Sequence, residues 1–152
     1  MEGLERIVRE HPFFAGLKEE FCQLISGCAK NVRFEAGQYL FHEGEAADQF
    51  YILRSGRVAL QMAATTRSLT IQTVGEDEIV GASWLVTPYR WGFDAKALEL
   101  TRAISMDAAC LRGKCEGDHD LGYEMMKRFA PVLIQRLQAA RLQILDVYGT
   151  RN

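Results

Sequence analysis

The residue types able to do chemistry crowd into one stretch of this chain, Val80-Gly-Ala-Ser-Trp-Leu-Val-Thr-Pro-Tyr-Arg-Trp-Gly-Phe-Asp-Ala95. Ser83, Trp84, Tyr89, Arg90, Trp91 and Asp94 fall within twelve residues, and both tryptophans of the chain are among them. Aromatic walls with a few convergent polar groups make a small-molecule pocket. The same rings would also serve as plain core, with Arg90 paired to Asp94 or Glu76, because buried aromatics mostly fill space. Other reactive types are dispersed. His42-Glu43 has no partner in the pattern, and Asp118-His119-Asp120 reads as a helix entrance. No serine sits in a nucleophile-elbow sequence, and no Gly-rich loop ends in Lys-Ser/Thr. No catalysis is expected.

Cys22, Cys28, Cys110 and Cys115 form no CxxC pair, and His11, His42 and His119 are scattered, so no metal site is expected. Cys22 and Cys28 fall in a helical amphipathic pattern, where a free thiol behaves as a small hydrophobe. Disulfides are not expected in a reducing compartment.

The elements that must hold these groups come in three blocks. Leu4–Glu10 and Leu17–Ala29 read as N-terminal helices, interrupted near Pro12 and Gly16; the second places Leu17, Phe21, Leu24, Ile25 and Cys28 on one face. Short alternating runs follow: 32–34, 39–41, 50–53, 58–62, 69–73, 78–80, 92–98 and 101–106. About eight short strands with turn residues between them suggest a small barrel or sandwich. Gly37, Gly44 and Gly56 stand where the chain must reverse. The helical period then returns, with a short helix over 108–116 and a break at 117–120. Beyond it Met126, Phe129, Leu133, Leu137, Ala140, Ile144 and Val147 recur at spacings of three and four. Pro131 should kink that helix or start a new one, since proline in a helix interior costs about 3 kcal/mol.

Composition sets the outer limits. The 152 residues are 48% hydrophobic and 25% charged, enough to fill one core. A formal charge of -2 gives no electrostatic case for nucleic acid. No apolar run approaches the ~20 residues of a membrane helix. The N-terminus MEGLERIVREHPFF mixes acidic and basic residues where a secretory signal needs an apolar core. A cytoplasmic protein with no membrane contact is expected.

The segment Gly37–Gly56, GQYLFHEGEAADQFYILRSG, running on into Arg57-Val58, resembles the start of the cyclic-nucleotide-binding β-roll. On it the chain is identified as a Crp/Fnr-like member of the cyclic-nucleotide-binding domain family. The likeness reaches from Phe13-Phe14-Ala-Gly-Leu17 to the final helix. It implies a mainly β fold with flanking helices, a double-stranded β-helix or jelly-roll-like β-roll. A single domain over 1–152 would have N-terminal helices in 1–30, the roll in 31–106 and C-terminal helices in 107–152, ending in a long one.

The family's phosphate cassette resembles Gly-Glu-x-x-Leu followed by Arg-Ser/Thr-Ala. Backbone N–H groups at a helix N-terminus and an arginine neutralise the phosphate, while the glutamate holds a ribose hydroxyl. Matched to it, Gly81 takes the glycine position and Ala82 that of the glutamate. Trp91 falls at the arginine, with Arg90 one residue early, Gly92 at the Ser/Thr and Phe93 at the small residue. Asp77 replaces a usual glycine, and Glu76-Asp77-Glu78 adds negative charge. The ligand-binding residues implied are Gly81, Ala82, Ser83, Trp84, Tyr89, Arg90, Trp91 and Gly92. The departures weigh against cAMP or cGMP, although a cyclic nucleotide stays open as the ligand; no other cofactor is implied.

Two functions stay in view. One is a stand-alone sensor that binds a small ligand in the roll and signals through the C-terminal helix. The other is a ligand-free interaction and dimerisation module whose pocket is filled by its own aromatics. In either, the helix over 129–148 is expected to pair in a homodimer or meet an unknown protein partner. In the family's transcription factors a DNA-binding head follows that helix. This chain ends at Asn152, so no DNA binding by it is expected.

Overall fold

The structure, a computed structural model, describes residues 2–63 and 67–149, with side chains within 4–146 of these. Eight strands build it: β1 Ala29–Phe34, β2 Tyr39–Phe41, β3 Gln49–Ser55, β4 Val58–Ala63, β5 Ser68–Val74, β6 Ile79–Val80, β7 Asp94–Ala97 and β8 Thr101–Asp107. They form two antiparallel sheets of four strands, ordered β1-β8-β3-β6 and β2-β7-β4-β5. Successive strands alternate between the two sheets except β4 and β5, which pair in one, and this is the path of a jelly-roll-like β-roll. In register, Ile52 and Asn31 flank Ile104, and Leu60 lies opposite Ala95. Phe50, Ile52, Leu53, Leu60, Val80, Ile104 and Met106 are buried and supply the core.

The reversal from β3 to β4 depends on Gly56, which takes φ +94°. A Cβ there would collide with Thr101 and the Leu100 carbonyl. Only glycine satisfies both the dihedral and the approach.

Four helices flank the roll: α1 Glu2–Glu10, α2 Glu19–Ser26, α3 Ala108–Gly117 and α4 His119–Gly149, with a 3-10 turn at Pro12–Phe14 after α1. Three local expectations give way. The helix expected over Leu17–Ala29 occupies only Glu19–Ser26, and Ala29–Asn31 join β1, because Met106, Ser105 and Ile104 of β8 supply them with strand partners. Leu24 is consequently exposed and Cys28 lies outside the helix. The strand expected over 92–98 is trimmed to Asp94–Ala97, with Gly92 and Phe93 left outside it. Of the two outcomes expected at Pro131, a kink or a new start, the new start does not occur: α4 runs through it as one helix of 31 residues. The ring lies on the exposed side, where water can serve the Lys127 carbonyl that loses its usual N–H.

The break between α3 and α4 is a single residue. Asp118 is extended, and its carboxylate accepts from the N–H groups of Asp120 and Leu121 at 3.1 and 3.3 Å. That caps the start of α4.

α4 seats its first half on the molecule through Leu121, Met125 and Phe129, four residues apart and all buried. Arg128 donates to the Ala15 carbonyl at 2.6 Å, and Arg136 to that of Ile79. The apolar stripe read from sequence therefore divides. Phe129 belongs to the docked face, whereas Met126, Leu133, Leu137 and Ile144 are exposed. The side chains of Val147, its last member, and of Tyr148 lie outside those described.

Candidate functional site: an aromatic cassette

The stretch after β6 begins with Gly81 at φ +102°. A Cβ at this position would stand 2.5 Å from Cη2 and Cζ3 of Trp91, so the indole rests directly on the glycine backbone. Trp91 is 4% exposed and stacks on Phe41, ring centroids 3.7 Å apart and planes 9° from parallel. The space over the cassette glycine is thus filled by the side chain that matches the family's arginine position.

Ala82 is buried, and its methyl offers nothing to a ribose hydroxyl. The next three residues, Ser83–Leu85, form a 3-10 turn that carries Trp84 inward. Trp84 is 0% exposed. It stacks on Phe50 of β3 at 4.9 Å and meets Phe129 of α4 edge-on at 5.3 Å, and Phe13 packs against the other side of Phe129 at 4.9 Å. One tryptophan joins the cassette to the central sheet, the long helix and the N-terminal segment. Aromatic pairs in such geometry add about 0.5–1.5 kcal/mol each beyond the area they bury.

Arg112 of α3 clamps the same turn. Its Nη1 donates to the Trp84 carbonyl at 2.7 Å and reaches the Ala47 carbonyl at 3.4 Å. Its guanidinium lies 4.3 Å from the ring centre of Tyr89, and Tyr89 itself takes φ +56°. Tyr89 is therefore a stacking platform for an arginine.

Arg90 is exposed and turned away from Gly81. Its Nη1 donates to the Gly44 carbonyl at 3.0 Å, and neither Asp94 nor Glu76 is its partner. The cause is backbone pairing. Tyr89 and Trp91 bond the turn over 42–47 through Ala47 N to Tyr89 O (2.7 Å), Trp91 N to Glu45 O (3.0 Å) and Gly44 N to Trp91 O (2.8 Å). Alternation along this extended segment sends Trp91 inward and Arg90 outward. Asp94 accepts from Glu43 N at 2.7 Å and lies 3.6 Å from His42 Nδ1.

Of the eight residues singled out by sequence, Gly81, Ala82, Trp84 and Trp91 come together in the interior. Ser83 and Tyr89 are half-buried, while Arg90 and Gly92 lie at the surface. The sequence reading missed Phe41, Phe50 and Arg112 as partners of the cassette. Phe41 and Phe50 read only as strand residues. No spacing marks Arg112, whose role exists only once α3 is folded back on the 3-10 turn.

The acidic triplet is largely occupied elsewhere. Asp77 takes φ +67°, the left-handed conformation a glycine usually supplies, which aspartate tolerates. Its carboxylate lies 3.6 Å from Nε2 of the buried His11, and Glu78 accepts from Gly75 N at 2.9 Å. Burial lowers the His11 pKa, and Asp77 partly opposes that. Phe13 N donates to His11 Nδ1 at 3.0 Å, so the ring proton sits on Nε2, toward Asp77. Arg136 is likewise lowered by burial, with Glu78 acting in the other direction.

At the mouth of the roll a cleft of about 370 Å³ is lined by Leu40, Phe41, Glu45, Asp48, Tyr51 and Trp91. Burial pushes the Tyr51 hydroxyl up to about 12, so it remains a neutral donor, given to Gln49 Oε1 at 2.8 Å. Among the described residues, no three His, Cys, Asp or Glu side chains are grouped to hold a metal ion. Likewise no described helix is long and apolar enough to cross a membrane.

A β-roll with a cassette turn after its sixth strand and a long helix behind it defines a regulatory ligand-binding class of domain. The chain matches the cyclic nucleotide-binding domain model over residues 31–118, and it belongs to that family. It is 24% identical over 148 residues to the CRP-like cAMP-activated global transcriptional regulator of Mycobacterium tuberculosis. That alignment covers 97% of this chain and 64% of the relative, so the chain spans under two-thirds of the relative's length. Among solved structures it is similar to a protein of Geobacter metallireducens assigned as a cyclic nucleotide-binding protein. The TM-score is 0.77 with 29% identity, covering 90% of this chain and 96% of that one. It also shares the fold of the regulatory subunit of a cAMP-independent protein kinase A from Trypanosoma brucei. There the TM-score is 0.63 with 19% identity, covering 70% and 38% of the two chains.

Proposed function

We propose that this chain is a cytoplasmic regulatory module of the family, not an enzyme. Its nucleotide site is closed by Trp91, and its working surface is α4, which pairs with a second copy. The observation that carries the first part is the Trp91 indole lying on Gly81. A phosphate there would have to displace a stacked, buried ring, and Ala82 and the outward Arg90 leave it without the glutamate and arginine that would repay the displacement. The fold alone does not demand cAMP, as a protein of the same fold described as a regulatory subunit of a cAMP-independent kinase illustrates.

The second part rests on α4. Tyr123, Met126, Ala130, Leu133, Leu137, Ala140 and Ile144 recur at alternating steps of three and four, the seam of a two-stranded coil. This seam lies apart from the docked face of Leu121, Met125 and Phe129, so pairing needs no undocking. A further protein partner would meet the same helix, and with a net charge of -2 the chain contributes no DNA contact of its own. A second function, sensing of a small ligand, is favoured by the cleft at the roll mouth. With Glu45 and Asp48 on its wall, that ligand would be neutral or cationic.

The test is thermal unfolding with and without millimolar cAMP and cGMP. The expected midpoint shift is below ~1 °C. Ligand at 100 times its dissociation constant would add about 2.7 kcal/mol and raise the midpoint by roughly 5 °C, and such a rise overturns the closed-site proposal.

A further inference from the structure

The junction of α2 with β1 and the first turn of α3 bring two thiols to the walls of one cleft. Cys28 lies just ahead of β1 and is buried; Cys110 is the third residue of α3 and half-buried. The backbone sets their approach. Asp107 N donates to the Cys28 carbonyl at 2.8 Å, and the Asp107 carboxylate accepts from Cys110 N at 3.0 Å. The cleft has a volume of about 220 Å³ and is also lined by Ser105, Gln49 and Lys30. Ser105 is 1% exposed, and its Oγ is buried without a hydrogen-bond partner.

We infer that Cys28 and Cys110 are a peroxide-responsive dithiol that closes to a disulfide and staples α3 to the α2–β1 junction. Burial first, and the neighbouring Cys110 second, push the Cys28 thiol up to about 12, so Cys28 stays protonated. The thiolate is the nucleophile toward peroxide, which leaves the first step to the more accessible Cys110. Its sulfur attacks one oxygen of hydrogen peroxide; the O–O bond breaks, a sulfenic acid forms, and the other oxygen leaves as water. The Cys28 sulfur then attacks the electrophilic Cys110 sulfur and gives up its proton to the departing hydroxyl as the S–S bond forms and the S–O bond breaks, which releases a second water. Two thiols and one peroxide give one disulfide and two waters, with one electron withdrawn from each sulfur.

The pairing is selective by surroundings. Cys22 has Glu19, Arg9 and Arg128 as its electrostatic neighbours, and Cys115 has Glu116 and Asp118; neither has a thiol among them. The staple also has a mechanical consequence. Arg112, two residues beyond Cys110, holds the Trp84 carbonyl, and α3 passes through Asp118 into α4. Fixing α3 therefore fixes both the cassette clamp and the root of the long helix.

The experiment treats the full chain with hydrogen peroxide and follows intact mass and a non-reducing peptide map. The expected result is a loss of about 2 Da, a Cys28–Cys110 cross-linked peptide and full reversal by dithiothreitol. Cys110→Ser should abolish the cross-link, and Cys22→Ser with Cys115→Ser should leave it intact. Oxygen additions of about 16 or 32 Da without a cross-link, or a link through Cys22 or Cys115, would overturn the inference. The peptide map of the unsubstituted chain decides the matter even if a variant folds poorly.

Discussion

Trp84 and Trp91 in the cassette are 0% and 4% exposed, whereas Leu137 and Ile144 in the far half of α4 are 69% and 58% exposed. The two regions spend apolar surface in opposite ways. In the cassette, rings take the volume a ligand would need, each held by a second aromatic: Phe41 under Trp91, Phe50 and Phe129 around Trp84. On α4, aliphatic side chains stand exposed at coiled-coil spacing. Contiguous exposed apolar surface of that kind marks an interaction site. On the function proposed above, the inner pocket is closed and the outer helix is left open.

The contrast breaks hardest at Trp84. Trp84→Ala should lose about 3–5 kcal/mol, because it empties the volume shared by the cassette, β3 and α4. Chemical denaturation measures this, and a loss below ~1 kcal/mol would show that the three parts do not depend on one ring. On the open side, Leu137→Glu with Ile144→Glu should leave the stability of the roll within about 0.5 kcal/mol, as surface changes do. The same pair should weaken self-association on the order of 100-fold by placing like charges on the seam. Analytical ultracentrifugation reads the result, and unchanged association would move the interface off this helix.

The smallest effect concerns His11, which ties the N-terminal segment to the Asp77 turn. Its folded-state pKa lies below the ordinary 6.5. Below 6.5 the unfolded chain therefore binds more protons than the folded one, and stability falls as pH drops through that value toward the folded pKa. Above it the contribution is fully present. His11→Asn keeps an acceptor for Phe13 N but cannot titrate, so the thermal midpoint of this variant should lose less between pH 7 and 5 than that of the parent chain. Equal slopes would assign the acid sensitivity to other groups.

Local signals carried much of the fold. Short alternating runs between Gly37, Gly44 and Gly56 announce strands because a pleated, half-buried chain needs period two and a reversal needs a residue free of Cβ. Phosphate-site chemistry was legible as a departure: Ala82 cannot accept a hydrogen bond wherever it is placed, and Trp91 cannot carry a charge. Element ends were less legible. Ala29 fits the helical period in isolation and becomes strand because β8 lies alongside, and α4 runs through Pro131 as one helix although local propensity allows a new start there.

The direction of each ring is of another kind. That Trp91 turns onto Gly81 while Arg90 turns to Gly44 follows from pairing with the turn over 42–47, more than forty residues away in the chain. That Phe129 is core while Leu133 is surface follows from where the roll meets α4. Residue chemistry and local periodicity act within a few bonds, so the sequence by itself determined which groups exist and which segments are strand or helix. Which face is covered, and whether a pocket is left open, is decided by contacts between distant segments, and only the tertiary structure holds those.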